Sequence, residues 1–189
     1  MGVIEESNSP WCFPVVNVRK PGKISLCLDS RKLNTITKKD SYPLPHVNGL
    51  LSRLKDTHFI SGIDLKDAFF QIPLTESAKE KTAFAVPGKP LYQYRLCNGP
   101  QSMSRLMDRV IPSRLRENVF IYLDDLLVCS NNFEDHLQLL KEVAQCLKDA
   151  GLTINVSKSK FCQREIKYLG YIIGQGCLKV DQDKDLAIV

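Results

Sequence analysis

The segment FIYLDDLLVCS, residues 120–130, places two adjacent aspartates, Asp124 and Asp125, in the most apolar run of the chain. Each carboxylate costs free energy to desolvate, and like charges this close raise each other's pKa unless a cation compensates. A simple Asp-Asp turn between two strands is the alternative, since aspartate tolerates turn geometry. Hairpin turns favour glycine, however, and none is present here. The segment therefore favours a site for a hard divalent cation such as Mg²⁺ or Mn²⁺.

A second carboxylate stretch, GIDLKDAFFQIPL at residues 62–74, strengthens this interpretation. Asp64 lies near the end of an apolar strand, and Asp67 follows three residues later. Because successive strand residues face opposite sides, Asp64 is expected to meet Asp124 if the two strands are neighbours in a sheet. Carboxylates from two strand ends that hold two ions about 3.5–4 Å apart form the two-metal arrangement used in phosphoryl and nucleotidyl transfer.

The residue pattern predicts an α+β domain with helices on one face of an antiparallel sheet. Apolar, β-branched and aromatic runs predict strands over 13–18, 24–29, 59–65, 82–86, 91–96, 118–123, 126–130, 152–155, 167–173 and 177–180. The pair around Asp124 and Asp125 has the pattern of a hairpin. Helical periodicity predicts helices over 43–56, 100–111 and 131–151.

The predicted helices have identifiable ends and apolar stripes. Ser102 is a candidate cap for the second helix, with Pro112 as its stop. Asn131 or Asn132 caps the third, and Gly151 lies just past its end. Its predicted apolar stripe consists of Leu137, Leu140, Ala144 and Leu147.

Composition limits the class of protein and of partner. The net charge is +5, of which residues 1–60 hold +4 (nine Lys/Arg against five acids), and this basic third favours a polyanionic partner. No run of about 18 apolar residues predicts a membrane span, and the N-terminus does not have the pattern of a secretory signal. We expect an intracellular protein, cytoplasmic or nuclear, not secreted and without a membrane partner. The seven scattered cysteines are expected to be buried reduced thiols.

FIYLDDLLV and IDLKDAFFQIPL together resemble the palm of a reverse transcriptase, as in the Pol proteins of gypsy-type LTR retrotransposons and retroviruses. Further segments match in order along nearly the whole chain, including SPWCFPVVNVRKPGK, KTAFAVPGKPLYQYRL, NGPQSMSRLMDRVI, LTINVSKSKF and KYLGYIIGQG. The resemblance implies right-hand polymerase fingers, about 1–58 and 79–100, and a palm, about 59–78 and 101–189. It also implies that the thumb and RNase H are absent from this chain.

The resemblance assigns roles to the carboxylates. Asp64 and Asp124 would bind two Mg²⁺ ions, for which Mn²⁺ is a substitute, and Asp125 would be the third carboxylate of the triad. The backbone carbonyl of Leu65 would join the metal shell. The implied function is RNA-directed DNA polymerisation: transfer of a nucleotide from a dNTP to a primer 3′-hydroxyl on an RNA or DNA template.

The resemblance also implies a nucleotide pocket. Phe69 matches an aromatic steric gate against the ribose 2′-hydroxyl; its alternative is plain core packing. Lys20 matches a lysine that contacts the triphosphate, with an exposed turn lysine as the alternative. Gln101 matches a position that packs against template and nucleotide.

Further matches concern proton transfer and the primer. Lys158 matches a proposed proton donor to pyrophosphate, with Lys160 or a solvated loop lysine as alternatives. Leu169 and Gly170 would shape the primer grip.

Two departures from the family pattern predict impaired catalysis in this copy. Ser25 stands where the family usually has an arginine, and a serine cannot replace a charge-assisted phosphate clamp. About five residues, including a glycine turn, are missing before Asn98. The alternative function is therefore a non-catalytic nucleic-acid-binding or interaction module of a decayed or domesticated retroelement, in either case with the rest of a Pol polyprotein as a further partner.

Overall fold

The computed structural model describes residues 2–20, 23–38, 40–43, 57–97, 99–174 and 177–180, with the main chain alone at 19–20, 23–26 and 177–178. The strands in these parts are β1 Ile4–Glu6, β2 Val15–Lys20, β3 Lys23–Leu28, β4 Phe59–Asp64, β5 Phe84–Ala85, β6 Leu91–Tyr94, β7 Val119–Tyr122, β8 Asp125–Ser130, β9 Lys160–Gln163, β10 Glu165–Tyr168, β11 Tyr171–Gly174 and β12 Cys177–Val180. The α-helices are α1 Arg31–Ile36, α2 Glu76–Lys79, α3 Pro100–Val110 and α4 Phe133–Asp149, and 3₁₀ turns span Ala68–Phe70, Glu80–Thr82 and Ser113–Leu115. The helix predicted over 43–56 lies almost entirely outside the described residues.

The chain divides into two compact units. The first consists of Met1–Ser41 and Phe69–Gly99, and the second of Tyr42–Ala68 and Pro100–Val189. In the first unit, β1, β6 and β5 form a three-stranded antiparallel sheet, and β2 pairs with β3. In the β2–β3 hairpin, Ser25 lies opposite Val18, and Lys20 lies opposite Lys23.

A four-stranded antiparallel sheet in the order β7-β8-β4-β9 forms the centre of the second unit. Strand β8 is nearly all apolar, and its residues from Leu126 to Ser130 are all buried because the sheet is covered on both faces. Helix α4 packs against β8 and β4, and α3 contacts β7. The antiparallel α+β architecture predicted from the sequence is therefore present.

A buried histidine joins α4 to the sheet. The His136 side chain is fully buried; its Nε2 lies 2.7 Å from Ser61 Oγ and its Nδ1 lies 3.0 Å from Ser130 Oγ. Ser130 Oγ donates to the Asn132 carbonyl, so it accepts from His136 Nδ1–H. Ser61 then donates to Nε2 and itself accepts from the Cys162 N–H at 2.9 Å. A neutral imidazole satisfies every one of these groups.

The opposite face of the sheet is covered by a second antiparallel sheet, β10-β11-β12. Its apolar side chains form one buried cluster with those of the larger sheet: Ile60, Phe120, Leu127, Cys129, Ile166, Tyr168 and Ile173. Strand β10 approaches β4 closely at Gly62: a Cβ at that position would lie 2.6 Å from Ile166 Cδ1, and the Ile166 side chain would have to shift. This contact brings the end of β10 over the end of β4.

Several strands differ from their prediction. Residues 167–173 do not form one strand, because Leu169 and Gly170, with φ of 51° and 83°, make a two-residue turn between β10 and β11. Positive φ at both positions is the geometry that matches the twist of a hairpin. Residues 152–155 form an isolated bridge, Leu65 with Ile154, in place of a strand. Strands β1 and β9 were not predicted; both are short, and β9 is mostly exposed, so it lacks the apolar run that marks a buried strand.

The helix ends and stripes need smaller corrections. Helix α3 begins at Pro100, a favoured first-turn residue, so Ser102 lies inside the helix and does not cap it. For α4 the predicted cap is confirmed at Asn132, whose side chain accepts from Asp135 N–H, and Gly151 follows with φ of 70°. The predicted stripe is wrong at Leu137 and Ala144, which are exposed. The buried face is His136, Val143 and Leu147, because the polar His136 contact with the sheet sets the rotation of the helix.

The cysteines are less buried than predicted. All six cysteines whose side chains are described are free thiols, but only Cys129 among them is buried, while Cys12 and Cys27 are exposed. Within the same residues, no helix has the length and apolar character needed to cross a membrane.

The His136 network predicts a pH dependence of stability. Burial lowers the pKa of His136 below its ordinary value of 6.5, so the fold favours the neutral ring. The contribution of His136 to the free energy of unfolding should therefore be constant above pH 6.5 and fall as the pH drops below it towards the lowered pKa of the folded state. His136→Phe should remove this dependence and, by leaving two buried serine hydroxyls without their partner, cost about 1–3 kcal/mol at pH 7.5. Urea unfolding between pH 5 and 7.5 measures both effects.

The exposed His58 provides the matched control. His58→Gln should retain the wild-type pH slope. A slope that disappears in His58→Gln and persists in His136→Phe would contradict the assignment.

Candidate active site

The two adjacent aspartates lie at the tip of the β7–β8 hairpin. Tyr122 pairs with Asp125, so the connecting loop is Leu123–Asp124 alone. Leu123 has a φ of 59°, a left-handed conformation that favours glycine and is strained for leucine. The turn thus holds Asp124 outside the ladder and makes Asp125 the first residue of β8. Both side chains are half-buried.

Sheet register brings Asp64 and Asp125 together. β4 and β8 are neighbours, as expected, but the residue opposite Asp64 is Asp125, and the predicted meeting of Asp64 with Asp124 is wrong by one residue. The reason is that β8 begins at Asp125, whereas Asp124 belongs to the turn. A one-residue change of register exchanges the two faces of a strand.

The Asp64 main chain faces away from β8. Its N–H donates to Ser159 Oγ at 3.1 Å, and its carbonyl accepts from the Asn155 N–H at 2.8 Å. Because both groups of a strand residue point to the same side, Asp64 and Asp125 form a non-hydrogen-bonded pair. In such pairs the Cα atoms are only about 4.5 Å apart and the side chains are at their closest. The register therefore places two carboxylates side by side.

The electrostatics of the site reflect this crowding. Burial raises the pKa of the Asp125 carboxyl, and the negative charges of Asp124 and Asp64 raise it further, to about 6. The ammonium of Lys158 acts in the opposite direction and lowers it. Three carboxylates and one lysine therefore share one electrostatic environment, with an excess of negative charge.

A cleft of about 160 Å³ opens beside the pair. It is lined by Asp64 and Asp125 from the sheet, by Lys158 before β9 and Lys160 at its start, and by Tyr168 and Leu169 at the β10–β11 turn. Lys158 is exposed to solvent and lines the cleft. The cleft thus contains an anionic floor and a cationic edge.

Tyr168 is a cleft residue that sequence reasoning missed. It is buried, and its hydroxyl has no hydrogen-bond partner in the parts of the chain that are described. Burial raises the pKa of the phenol, and the charge of Asp125 adds to that effect. Its position directly before Leu169 and Gly170 in the sequence could have identified it as a residue of the cleft. Asn155 and Ser159 were missed as well, although they flank Lys158 in the sequence.

The other predicted site residues are placed as follows. Gln101 lies half-buried in the first turn of α3 and does not line the cleft, and Gly170 lies in the hairpin turn next to the lining residue Leu169. Leu65 is buried and forms an isolated β-bridge with Ile154 through the hydrogen bonds of the residues on either side of it.

Phe69 belongs to the first unit and is 54% exposed, so its alternative as a core residue is wrong. The Lys20 side chain and Asn98 lie outside the described part of the chain.

The donor set fits a hard divalent cation. Across the described ranges, no three His, Cys, Asp or Glu side chains are grouped closely enough to hold a metal as they stand. The Asp64–Asp125 pair with Asp124 beside it nevertheless supplies only carboxylate oxygens, the ligands that Mg²⁺ and Mn²⁺ prefer. Burial and the negative charges of Asp124 and Asp64 together raise the pKa of Asp125, and a bound cation would relieve the repulsive part of that effect.

Comparison with known proteins gives matches across the chain. Residues 18–173 match the profile of the family described as reverse transcriptase (RNA-dependent DNA polymerase). The chain is 34% identical to the retrovirus-related Pol polyprotein from transposon gypsy of Drosophila melanogaster over 99% of its own length, and 34% identical to that from transposon 297 over 100%. It spans about a fifth of those polyproteins, 19% in each case.

Solved structures share the fold. The chain aligns over its full length with 40% of a foamy viral protease-reverse transcriptase chain in complex with dsDNA, with a TM-score of 0.86 and 24% identity. It aligns over 98% of its length with 26% of the same kind of protein in complex with an RNA/DNA hybrid, with a TM-score of 0.85 and 25% identity. Together, the family profile, the Pol relatives and the shared fold establish that this chain belongs to the reverse transcriptase family, as a fingers-and-palm domain of the retroelement Pol type.

Proposed function

We propose that this chain performs two-metal nucleotidyl transfer from a dNTP to a primer 3′-hydroxyl at the cleft beside Asp64 and Asp125. The single observation that carries the proposal is the non-hydrogen-bonded pairing of these two aspartates, with Asp124 adjacent in the turn and Lys158 on the cleft edge. The pair does not stabilise the sheet, because burial and the neighbouring carboxylates raise the pKa of Asp125 to about 6 and so disfavour its charged form.

Asp64 and Asp124 would hold two Mg²⁺ ions, with Asp125 and the Leu65 carbonyl completing the oxygen donors. The ions, when bound, supply charge neutralisation at the phosphates and acidify the primer hydroxyl. Asp64 and Asp125 would orient the reacting groups because the β4–β8 pairing holds them opposite each other. The ammonium of Lys158 would hold the proton that pyrophosphate takes as it leaves. Lys160, which also lines the cleft, is the alternative donor.

We assign residues of about 1–58 and 79–100 to the fingers, those of about 59–78 and 101–189 to the palm, and the template-primer duplex to the palm surface beside the cleft. The complexes of the foamy viral proteins with dsDNA and RNA/DNA hybrid support such a partner. Leu169 and Gly170 would shape the primer grip, since their tight turn presents main chain at the cleft edge. Lys20 and Gln101 would contact the nucleotide.

Catalysis in this copy would be weakened at the nucleotide pocket. Ser25 lies opposite Val18 in the β2–β3 hairpin, where a family arginine would clamp a phosphate. The shortened segment before Asn98 would displace Gln101. A misplacement of about 1 Å can cost on the order of 100-fold in rate.

Primer extension on an RNA template tests the proposal. The wild type with Mg²⁺ or Mn²⁺ should extend the primer slowly, Asp124→Asn should abolish extension because a metal ligand is lost, and Ser25→Arg should raise the rate. Asp149→Asn, at the exposed end of α4, is the matched carboxylate control and should match the wild type. Absence of extension by both wild type and Ser25→Arg, with duplex binding intact, would replace the enzyme with the binding-module alternative.

A stability measurement tests the carboxylate crowding without catalysis. Because the folded-state pKa of Asp125 is raised from 3.8 to about 6, the metal-free protein should lose stability as the pH rises from about 4 to about 6. Asp125→Asn removes the repelling charge and should stabilise the metal-free protein at pH 7.5 by about 1–2 kcal/mol, after allowance for solvent screening. Thermal unfolding with and without Mg²⁺ should show stabilisation by the metal in the wild type, and much less in the variant.

Sugar selection provides a test at Phe69. Its side chain is 54% exposed and lies outside the buried core, so Phe69→Val should leave the fold intact. If the ring excludes the 2′-hydroxyl, the variant should incorporate ribonucleotides at least about 10-fold better relative to deoxynucleotides, since loss of a steric block is worth about 1.4 kcal/mol or more. Competing dNTP and rNTP incorporation measures the ratio. An unchanged ratio would assign the gate to another residue.

A further inference from the structure

Asp64 has a neighbouring strand on one side only, because β9 does not extend as far as the end of β4. Strand β9 pairs with β4 at Ile60 and Gly62, and β9 begins at Lys160, the partner of Gly62. No strand residue of β9 therefore lies opposite Asp64. The main-chain N–H and carbonyl of Asp64 point to this side, away from β8. Left alone, the end of β4 would fray, and the carboxylate would move with it.

A closed ring of hydrogen bonds replaces the missing strand. The Asp64 N–H donates to Ser159 Oγ at 3.1 Å, the Ser159 hydroxyl donates to the Asn155 carbonyl at 2.7 Å, and the Asn155 N–H donates to the Asp64 carbonyl at 2.8 Å. Ser159 is half-buried, and its hydroxyl is the one side chain in this ring. We call it the Asp64–Ser159–Asn155 ring.

The same ring fixes the base of Lys158. The Lys158 N–H donates to the Asn155 carbonyl at 3.2 Å, as does the Ser159 N–H at 3.0 Å. Lys158 is adjacent to Ser159 in the chain, and its side chain lines the cleft together with Asp64. The ring therefore connects a metal-binding carboxylate and the candidate proton donor through one serine hydroxyl.

We propose that Ser159 is a positioning residue that holds Asp64 and Lys158 in register with each other. This inference rests on the proposed function of the cleft for its catalytic consequence, and on the hydrogen bonds alone for its structural one. If Ser159 were only a cap for the strand end, its removal would lower stability and leave the rate constant of the remaining folded protein unchanged.

The structural arm of the test uses amide hydrogen exchange in the full chain, followed residue by residue by NMR. Ser159→Ala should accelerate exchange at the Asp64 amide by about 5–10-fold, the effect expected for loss of one hydrogen bond. Ser159→Thr keeps the hydroxyl and should restore wild-type exchange. Ser157→Ala is the matched control, because Ser157 Oγ donates to the Asn155 side chain at 2.8 Å and takes no part in the ring.

The functional arm separates position from stability. In primer extension, Ser159→Ala should lower kcat about 10–100-fold while the KM for dNTP changes by less than about 2-fold, because the reacting groups are displaced and the pocket is not. Its affinity for Mn²⁺, measured by electron paramagnetic resonance, should fall several-fold. Ser159→Thr should recover both properties, and Ser157→Ala should keep them.

The outcomes are distinguishable from those of the proposed function. Unchanged exchange at Asp64 in Ser159→Ala, or a kcat equal to that of the wild type, overturns the inference. If the wild type itself does not extend primers, the catalytic proposal fails, and exchange and Mn²⁺ affinity still decide whether the ring positions Asp64. If circular dichroism shows that Ser159→Ala does not fold, the isosteric variants Ser159→Thr and Ser159→Val are compared in its place. Equal Asp64 exchange and equal kcat in the two variants overturn the inference. Faster exchange and a lower kcat in Ser159→Val support it.

Discussion

The pairing of Asp64 with Asp125 across β4 and β8 is the interaction around which the second unit is built. The two carboxylates occupy a non-hydrogen-bonded position, where cross-strand side chains are closest. Such a pair repels itself, and the surrounding structure must hold it in place. The sheet does so through the buried residues of β8 on one side and the Asp64–Ser159–Asn155 ring on the other. The strained turn at Leu123 then adds Asp124 to the same region.

Stability and chemistry make opposite demands at this place. The raised pKa of Asp125 marks free energy that the metal-free fold spends on keeping a charge near other charges. That cost is tolerable because the rest of the unit is well packed: α4 is locked to the sheet by the fully satisfied His136 network, and the apolar cluster under β10 and β11 covers the opposite face. These well-packed elements carry no charge of the site, and they hold the strands that carry the carboxylates in place.

Much of this arrangement could be predicted, for local reasons. The apolar runs of β4, β7 and β8 and the periodicity of α3 and α4 are strong signals, because burial imposes them directly on the sequence. The family match was visible for the same reason, since the segments around Asp64 and Asp124 are distinctive in composition and order. Predictions failed where a contact overrides a local pattern. The face of α4 turned towards the sheet at His136, and the run 167–173 was broken by a two-residue turn.

The sequence by itself determined which carboxylates the site contains, because acidic side chains at an apolar strand tip are a local feature of the sequence. It could not determine which aspartate meets Asp64, since register depends on where β8 leaves its turn, and a single residue exchanges the two faces. Nor could it reveal Ser159, Asn155 and Tyr168 as neighbours of the site, because the residues that meet there are up to 104 positions apart, from Asp64 to Tyr168. Only the folding of β10 over Gly62, and the start of β9 opposite Gly62, two residues short of Asp64, bring those groups to the carboxylates.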